Sequence, residues 1–220
     1  MSGSRYRKTV TEMTSSTRAL FTDPANLITQ VGVVLGTVAI YAALRSEFEL
    51  AVLFLVAAFV ADYVDGPVAR GTVNRPAQTG ELGGILDSVA DVVCHSVAPA
   101  VILLTYGTLE LYLLPVAAFF IVAGVARMTR NTVDGGFSET TYRGLSSDNN
   151  IVILATVFLL EPVFGSAAFA NILAVVLVAT GLLNLSTIPV PKVTGRGYYA
   201  IAFWTVLVAA VLVVRLATAG

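Results

Sequence analysis

Four aspartates stand at two matched spacings in an otherwise apolar chain. Asp62 and Asp65 lie three residues apart in Asp62-Tyr-Val-Asp65-Gly66-Pro-Val-Ala69-Arg70. Asp87 and Asp91 lie four apart in Gly83-Gly-Ile-Leu-Asp87-Ser-Val-Ala-Asp91. Both spacings put a pair on one face of a helix. Two helix ends joined by a short connection then bring all four carboxylates together. Like charges that close at a membrane boundary demand cations between them. An oxygen-only set suits Mg²⁺, Mn²⁺ or Ca²⁺ rather than zinc. Two divalent ions held by shared carboxylates polarise a phosphate and neutralise its developing charge, so the chemistry is phosphoryl transfer. Small residues beside the carboxylates, Gly66, Ala69 and Gly83, let a bulky phosphate or nucleotide approach the backbone. Asp91 lies a turn deeper than Asp87 and is the candidate general base for an attacking hydroxyl.

The elements that must position these groups are membrane helices. Of 220 residues, 56% are hydrophobic and only 12% charged, with mean hydropathy +0.83. A soluble domain of this size carries about twice that charge fraction. A span needs about 20 mostly apolar residues. Seven stretches qualify, at 26–45, 49–66, 83–106, 109–129, 148–163, 167–187 and 198–218. The reading is an all-α polytopic membrane protein. Residues 1–25 form a polar cytoplasmic segment compatible with an interfacial helix, and 26–220 form the transmembrane catalytic domain. The first segment has basic residues but no apolar core of a signal peptide. Polar connections run from Thr72 to Glu81 and from Asn131 to Asp148. Pro99 and Pro115 are expected to kink their helices. Gly32 and Gly36 suit close helix contact or dimerisation.

Charge distribution orients the chain. With the N-terminus inside, eleven of the thirteen Lys and Arg fall on the inner side, and only Arg45 and Arg215 fall outside. That asymmetry places the aspartates, Arg127, Arg130, Arg143 and Lys192 on the cytoplasmic side. No basic block of the nucleic-acid-binding kind is present. The single cysteine, Cys94, excludes an internal disulfide and reads as packing. His95 shares a helical face with Asp91 and reads first as a satisfied core histidine.

The full pattern, D-x2-D-G-x2-A-R followed by G-x3-D-x3-D, resembles the signature of the CDP-alcohol phosphatidyltransferase family. The resemblance implies a six-helix core, here with an extra C-terminal transmembrane helix, and usually a dimer. It implies that Asp62, Asp65 and Asp87 bind two divalent cations, Mg²⁺ or Mn²⁺, with Asp91 as base and further ligand. It implies that Asp62, Gly66, Ala69, Arg70 and Gly83 seat the CDP part of an activated lipid. Asn26-Leu-Ile-Thr29 is similar to the opening of the family's first helix. The run Leu86-Asp-Ser-Val-Ala-Asp-Val-Val with Val97-Ala-Pro-Ala100 resembles the branch that makes phosphatidylserine and archaetidylserine. So do Ala126-Arg127-Met-Thr-Arg130-Asn131, Tyr142-Arg-Gly144-Leu145 and Ser186-Thr-Ile-Pro189 with Lys192.

Three departures stand out. Residues 71–82 separate Arg70 from Gly83, twelve where the family has eight or nine. Cys94-His95-Ser96 replaces a usual Ser-Phe-Gly. Gly144-Leu-Ser-Ser-Asp-Asn-Asn150 replaces a Gly-Leu-Pro-x-Pro segment and is somewhat like the choline branch.

The expected reaction is transfer of a lipid-phosphate group from CDP-diacylglycerol or CDP-archaeol to the hydroxyl of L-serine, releasing CMP. The setting is the plasma membrane of a bacterium or archaeon. A zwitterionic acceptor needs a cation for its carboxylate, which makes Arg127, Arg130 and Arg143 the acceptor or phosphate candidates. Inositol phosphate, glycerol phosphate and choline are the alternative acceptors. A cation transporter is the competitor from another class, but it would place acids near mid-membrane with broken helices or repeats.

Overall fold

The computed structural model describes residues 17–134, 141–191, 193 and 196–219. Among the described residues, a helical stretch at 17–22 precedes a bundle of eight helices. They are α1 (Pro24–Leu44), α2 (Phe48–Gly71), α3 (Ala77–Val92), α4 (Ala98–Tyr106), α5 (Leu114–Asp134), α6 (Asp148–Phe158), α7 (Ser166–Leu185) and α8 (Arg196–Ala219). A π-helical turn, Val93–Val97, joins α3 to α4. Two short strands, β1 (Thr141–Arg143) and β2 (Pro189–Pro191), pair antiparallel with Tyr142 opposite Val190.

Five stretches are long and apolar enough to cross a membrane: Pro24–Leu44, Ala77–Tyr106, Leu111–Val133, Ser166–Leu185 and Tyr199–Thr218. Helix α2, with 24 residues, also has spanning length and carries Asp62, Asp65 and Arg70 toward its C-terminal end. The expected span at 148–163 is different. Polar Asp148-Asn149-Asn150 starts α6, and after 11 residues the chain turns through the 3₁₀ segment Glu161–Val163. At about 1.5 Å per residue α6 is roughly 16 Å long, well short of a hydrocarbon layer about 30 Å thick.

Local chemistry starts the hairpin that holds the site. Asp23 caps α1, its Oδ1 accepting the Asn26 N–H at 3.1 Å, and Pro24 occupies the first turn where no donor is lost. The α1–α2 seam is built on Ala39, Ala42, Ala43, Ala51 and Ala58, all buried. Such small side chains let backbones approach closely. Gly32 and Gly36 are buried inside the monomer. A Cβ on Gly32 would touch Ala61, and one on Gly36 would lie 2.6 Å from Cys94 Sγ. The pair therefore serves an internal helix contact rather than a dimer face, and Cys94 packs as expected.

The far end of the bundle is closed by aromatic packing. Tyr106 stands 4.8 Å from Phe48 and 5.2 Å from Phe169 between ring centroids, and Phe158 meets Phe169 edge-on at 5.3 Å. Arg215 donates to the carbonyls of Phe158 and Leu159, tying α8 to α6 at that end. The opposite end holds the aspartates.

The irregularity near Pro99 falls one turn earlier than a simple kink. Proline has no N–H for the carbonyl four residues back, which is that of His95. The Val93–Val97 segment widens to π geometry, and the His95 carbonyl accepts instead from Asn150 Nδ2 at 3.4 Å. A π turn beside a cluster of charges is a common companion of functional sites.

Candidate active site

The four aspartates converge. Asp62 and Asp65 come from the C-terminal half of α2, and Asp87 and Asp91 from α3. One carboxylate oxygen from each of Asp62, Asp65 and Asp87 lies within 4.8 Å of the others. A second group within the same limit comprises Asp62, Asp91, His95 and Asp148. Asp62 belongs to both, as a carboxylate shared between two cation sites must. Asp65 and Asp91 are each only 8% exposed. Thr29 of α1 donates its hydroxyl to Asp65 Oδ2, fixing one rotamer. Ser147 Oγ lies 3.5 Å from Asp91 Oδ2.

These groups line a cavity of about 700 Å³. Its walls include Asp62, Asp65, Gly66, Asp87 and Asp91 from α2 and α3, Arg127 from α5, Tyr142 from β1, Ser146 and Ser147 from the loop after it, and Asp148 at the start of α6. A smaller cavity of about 190 Å³ lies behind Asp65 and Asp87 and is lined by Gly66, Ala69 and Gly83. The residues expected to seat a nucleotide thus border one cavity or the other, except Arg70. Arg70 is exposed, and its guanidinium folds back against Gly66, where an added Cβ would stand 3.3 Å from Nη1.

Gly83 has a reason of its own. A Cβ there would lie 2.5 Å from Asn26 Oδ1 and 2.8 Å from Arg75 Nη2. Arg75, inside the twelve-residue connection, donates from Nε to Asp23 Oδ2 at 3.1 Å and from Nη2 to Asp23 Oδ1 at 2.9 Å. It also donates to Asn26 Oδ1 at 3.0 Å. Burial by itself pushes the Asp23 carboxyl up, but the Arg75 hydrogen bond and the Asn26 amide outweigh it. The result lies below the usual carboxylate range.

The three arginines expected to grip an anion divide. Arg127 is 2% exposed and lines the large cavity, yet it spends Nε on the Leu145 carbonyl at 2.6 Å and Nη1 on Ser147 Oγ at 3.1 Å. Arg130 points away. Its Nη2 donates to the Arg143 carbonyl at 3.0 Å and the Asn184 carbonyl at 3.2 Å. It thus pins α5 to β1 and to the end of α7. Arg143 is exposed on β1 and does not border the cavity. Lys192 and the basic residues 5, 7 and 8 lie outside the described residues.

Of two further members of the site, Asp148 was given no functional weight from the sequence and His95 a secondary one. Asp148 sits in the stretch that departs from the expected Pro-rich segment, and its acidity there was a usable signal. His95, four residues from Asp91, is placed with Nδ1 3.1 Å from Asp91 Oδ1. The angles miss those of a hydrogen bond, and neither ring nitrogen has such a partner among the described residues. Its ion-pair contact with Asp91 is the polar contact that the buried ring makes.

Fold and site together define a multi-pass helical membrane protein with an acidic, cation-ready cavity at one end. The family model described as CDP-alcohol phosphatidyltransferase matches residues 23–218, and the chain belongs to that family. Among its relatives is a Helicobacter pylori (strain J99) protein named CDP-diacylglycerol–serine O-phosphatidyltransferase. It is 33% identical over 119 residues, 52% of this chain and 47% of the relative. An archaetidylserine synthase of Methanothermobacter thermautotrophicus is 28% identical over 174 residues, 78% of this chain and 71% of the relative. A Mycobacterium leprae protein named as a serine O-phosphatidyltransferase is 26% identical over 194 residues, 82% and 63% of the two chains. The match spans about half the length of the Helicobacter relative.

Proposed function

We propose that this chain transfers the lipid-phosphate group of a CDP-activated lipid to the hydroxyl of L-serine and releases CMP. The observation that carries the reading is the sharing of Asp62 between two ligand groups above a cavity of about 700 Å³. The residues present fit two divalent cations: five carboxylates and one imidazole, buried or half-buried, with the Asp62 carboxylate common to both sets. Such ions, Mg²⁺ or Mn²⁺, supply charge neutralisation of a diphosphate and of the leaving phosphate oxygen.

The chain's own residues do the rest. Asp62, Asp65 and Asp87 would hold cations beside the place of the diphosphate. Gly66, Ala69 and Gly83 keep side-chain bulk away from the nucleotide side. Asp91 takes the proton of the serine hydroxyl. The serine oxygen attacks the lipid-side phosphorus, the bond from that phosphorus to the CMP oxygen breaks, and CMP departs with the electron pair. Asp91 suits the base role because it is buried one turn beyond Asp87 and borders the cavity with one oxygen near Ser147. Arg127 offers its charge to the acceptor carboxylate from the cavity wall.

Serine is supported by the names of the relatives and by a buried cation facing acids across one cavity. Both diacylglycerol and archaeol forms of the donor suit the reading. The same reading places the site on the cytoplasmic side of the plasma membrane, following the basic residues gathered at the aspartate end. It includes a homodimer, as the family resemblance implies, which cross-linking in native membranes tests.

The decisive experiment is an acceptor panel. Purified protein with labelled CDP-diacylglycerol or CDP-archaeol and Mn²⁺ or Mg²⁺ is offered serine, inositol phosphate, glycerol phosphate and choline. CMP release only with serine supports the proposal. Release with another acceptor replaces serine, and metal-dependent ion flux in liposomes without CMP release replaces the transferase.

A further inference from the structure

The two sequence departures that border the site meet in space. His95 stands in the Cys94-His95-Ser96 triplet on the π turn, and Asp148 opens α6. They are 53 positions apart, yet a ring nitrogen of one and a carboxylate oxygen of the other lie within 4.8 Å, together with Asp62 and Asp91.

We propose that Asp62, Asp91, His95 and Asp148 form a mixed nitrogen–oxygen site for one of the two cations, and that His95 makes it select a first-row transition ion over Mg²⁺. The inference rests on reading the aspartates as a cation site but not on serine as acceptor.

Three observations support it. His95 is 1% exposed, and both its nitrogens lack a hydrogen-bond partner among the described residues. Buried polar groups rarely stay unsatisfied, and those that do need an explanation such as a missing ion. Next, Nδ1 is 3.1 Å from Asp91 Oδ1 without the alignment of a hydrogen bond. Adjacent ligands of an octahedral ion with bonds of about 2.1 Å stand about 3.0 Å apart and point at the ion, not at each other. Finally, the backbone that carries the ring is tied to α6, because Asn150 Nδ2 donates to the His95 carbonyl that Pro99 leaves free, two residues from Asp148.

The chemistry of the donors sets the selectivity. Mg²⁺ prefers oxygen ligands and water, whereas imidazole suits transition ions. In the Asp62, Asp65 and Asp87 group every donor is a carboxylate. The two groups therefore differ in kind, and one protein could hold two different ions.

The test uses the full chain in detergent micelles with Mn²⁺ as the probe, read by pulsed electron paramagnetic resonance. At saturation, wild type should show coupling to a directly bound ¹⁴N nucleus. His95→Gln, which keeps size and polarity, should lose that coupling. The excess of Mg²⁺ needed to displace Mn²⁺ from the tighter site should fall at least about tenfold, the lower bound for disturbing even an outer-shell partner. Asp148→Asn should weaken Mn²⁺ binding while keeping the ¹⁴N signal. Absence of ¹⁴N coupling in Mn²⁺-saturated wild type overturns the proposal, as does a signal unchanged in His95→Gln. A nitrogen signal in protein that releases no CMP with any acceptor sinks the transferase reading alone. CMP release without the nitrogen signal sinks this one alone.

Discussion

Replacing Arg75 by Ala should loosen the entrance to α1 by a measurable amount. The substitution removes two hydrogen bonds to Asp23 at 2.9 and 3.1 Å and one to Asn26 at 3.0 Å. Hydrogen bonds to charged groups contribute about 1.5–3 kcal/mol each. One guanidinium making three returns less than their sum, because its own desolvation is shared among them. The side chains are 15% and 7% exposed for Arg75 and Asp23, so the pair is shielded but lies at the rim of the bundle. Weighing these, the loss should be about 2 kcal/mol, roughly a 30-fold fall in the folded-to-unfolded ratio. The assay is reversible unfolding in mixed micelles followed by Trp204 fluorescence. Crossing Arg75→Ala with Asp23→Asn, which keeps the cap acceptor, isolates the charge coupling. A coupling of about 1–2 kcal/mol is expected; below about 0.5 kcal/mol the pair behaves as a solvated surface contact and the reasoning fails. Acidity gives a second check. Because the folded-state value of Asp23 lies below its unfolded value, its stabilisation is complete above the ordinary carboxylate range. It disappears as pH falls through the lowered value, so the gap between wild type and Arg75→Ala should close below about pH 4 and stay open at neutrality.

Gly144→Ala should cost about 2–3 kcal/mol by the same unfolding assay, since φ is +73° and the new Cβ would stand 2.6–2.9 Å from three carbonyl oxygens of residues 183, 184 and 186. Asp91→Asn should reduce CMP release by at least about a hundredfold, within the range assigned to a positioned base, with the unfolding midpoint little changed; normal turnover would remove the base assignment. Chelation of divalent cations should abolish CMP release, and Mn²⁺ or Mg²⁺ should restore it; release that survives chelation contradicts the carboxylate reading. Arg127→Lys should raise the KM for serine more than it lowers kcat, because a point charge keeps attraction while losing the planar fork; an unchanged KM assigns Arg127 to loop support alone.

Much of this site was readable because helix periodicity is rigid. Spacings of three and four residues determined which carboxylates share a face, so Asp62, Asp65, Asp87 and Asp91 could be assembled from the chain alone. Spans were equally legible where apolar runs were long. What periodicity cannot reach is the loop that folds back over the cavity. Asp148 enters because α6 begins where the chain returns from β1, a placement set by tertiary contacts of Gly144 and Leu145 with the end of α7. The length of α6 was overread for a related reason: apolar character continues to Leu160, but the helix ends at Phe158 and its first residue, Asp148, lines the cavity. His95 was legible as buried and as sharing a face with Asp91, but its approach to Asp148 depends on where α6 returns and could not be read from spacing.

The arginines show why residue type alone underdetermines role. Arg127 and Arg130 are three apart and share one face of α5, so the sequence treats them alike. Position along the helix separates them. Arg130 meets the C-terminal end of α7, where unsatisfied carbonyls attract any donor, and its charge goes to Asn184 and Leu185. Arg127 lies a turn deeper, under the loop that carries Ser147, and its two bonds hold the segment next to Asp91 and Asp148. A guanidinium is costly to bury without partners, and here those partners are the site's own wall. Among the described residues no hydrogen bond engages its Nη2. The same cation therefore has two nitrogens fixed on the scaffold while its side chain lines the cavity. Removing it should disturb loop position and acceptor affinity together, whereas removing Arg130 should disturb only the junction of α5, α7 and β1.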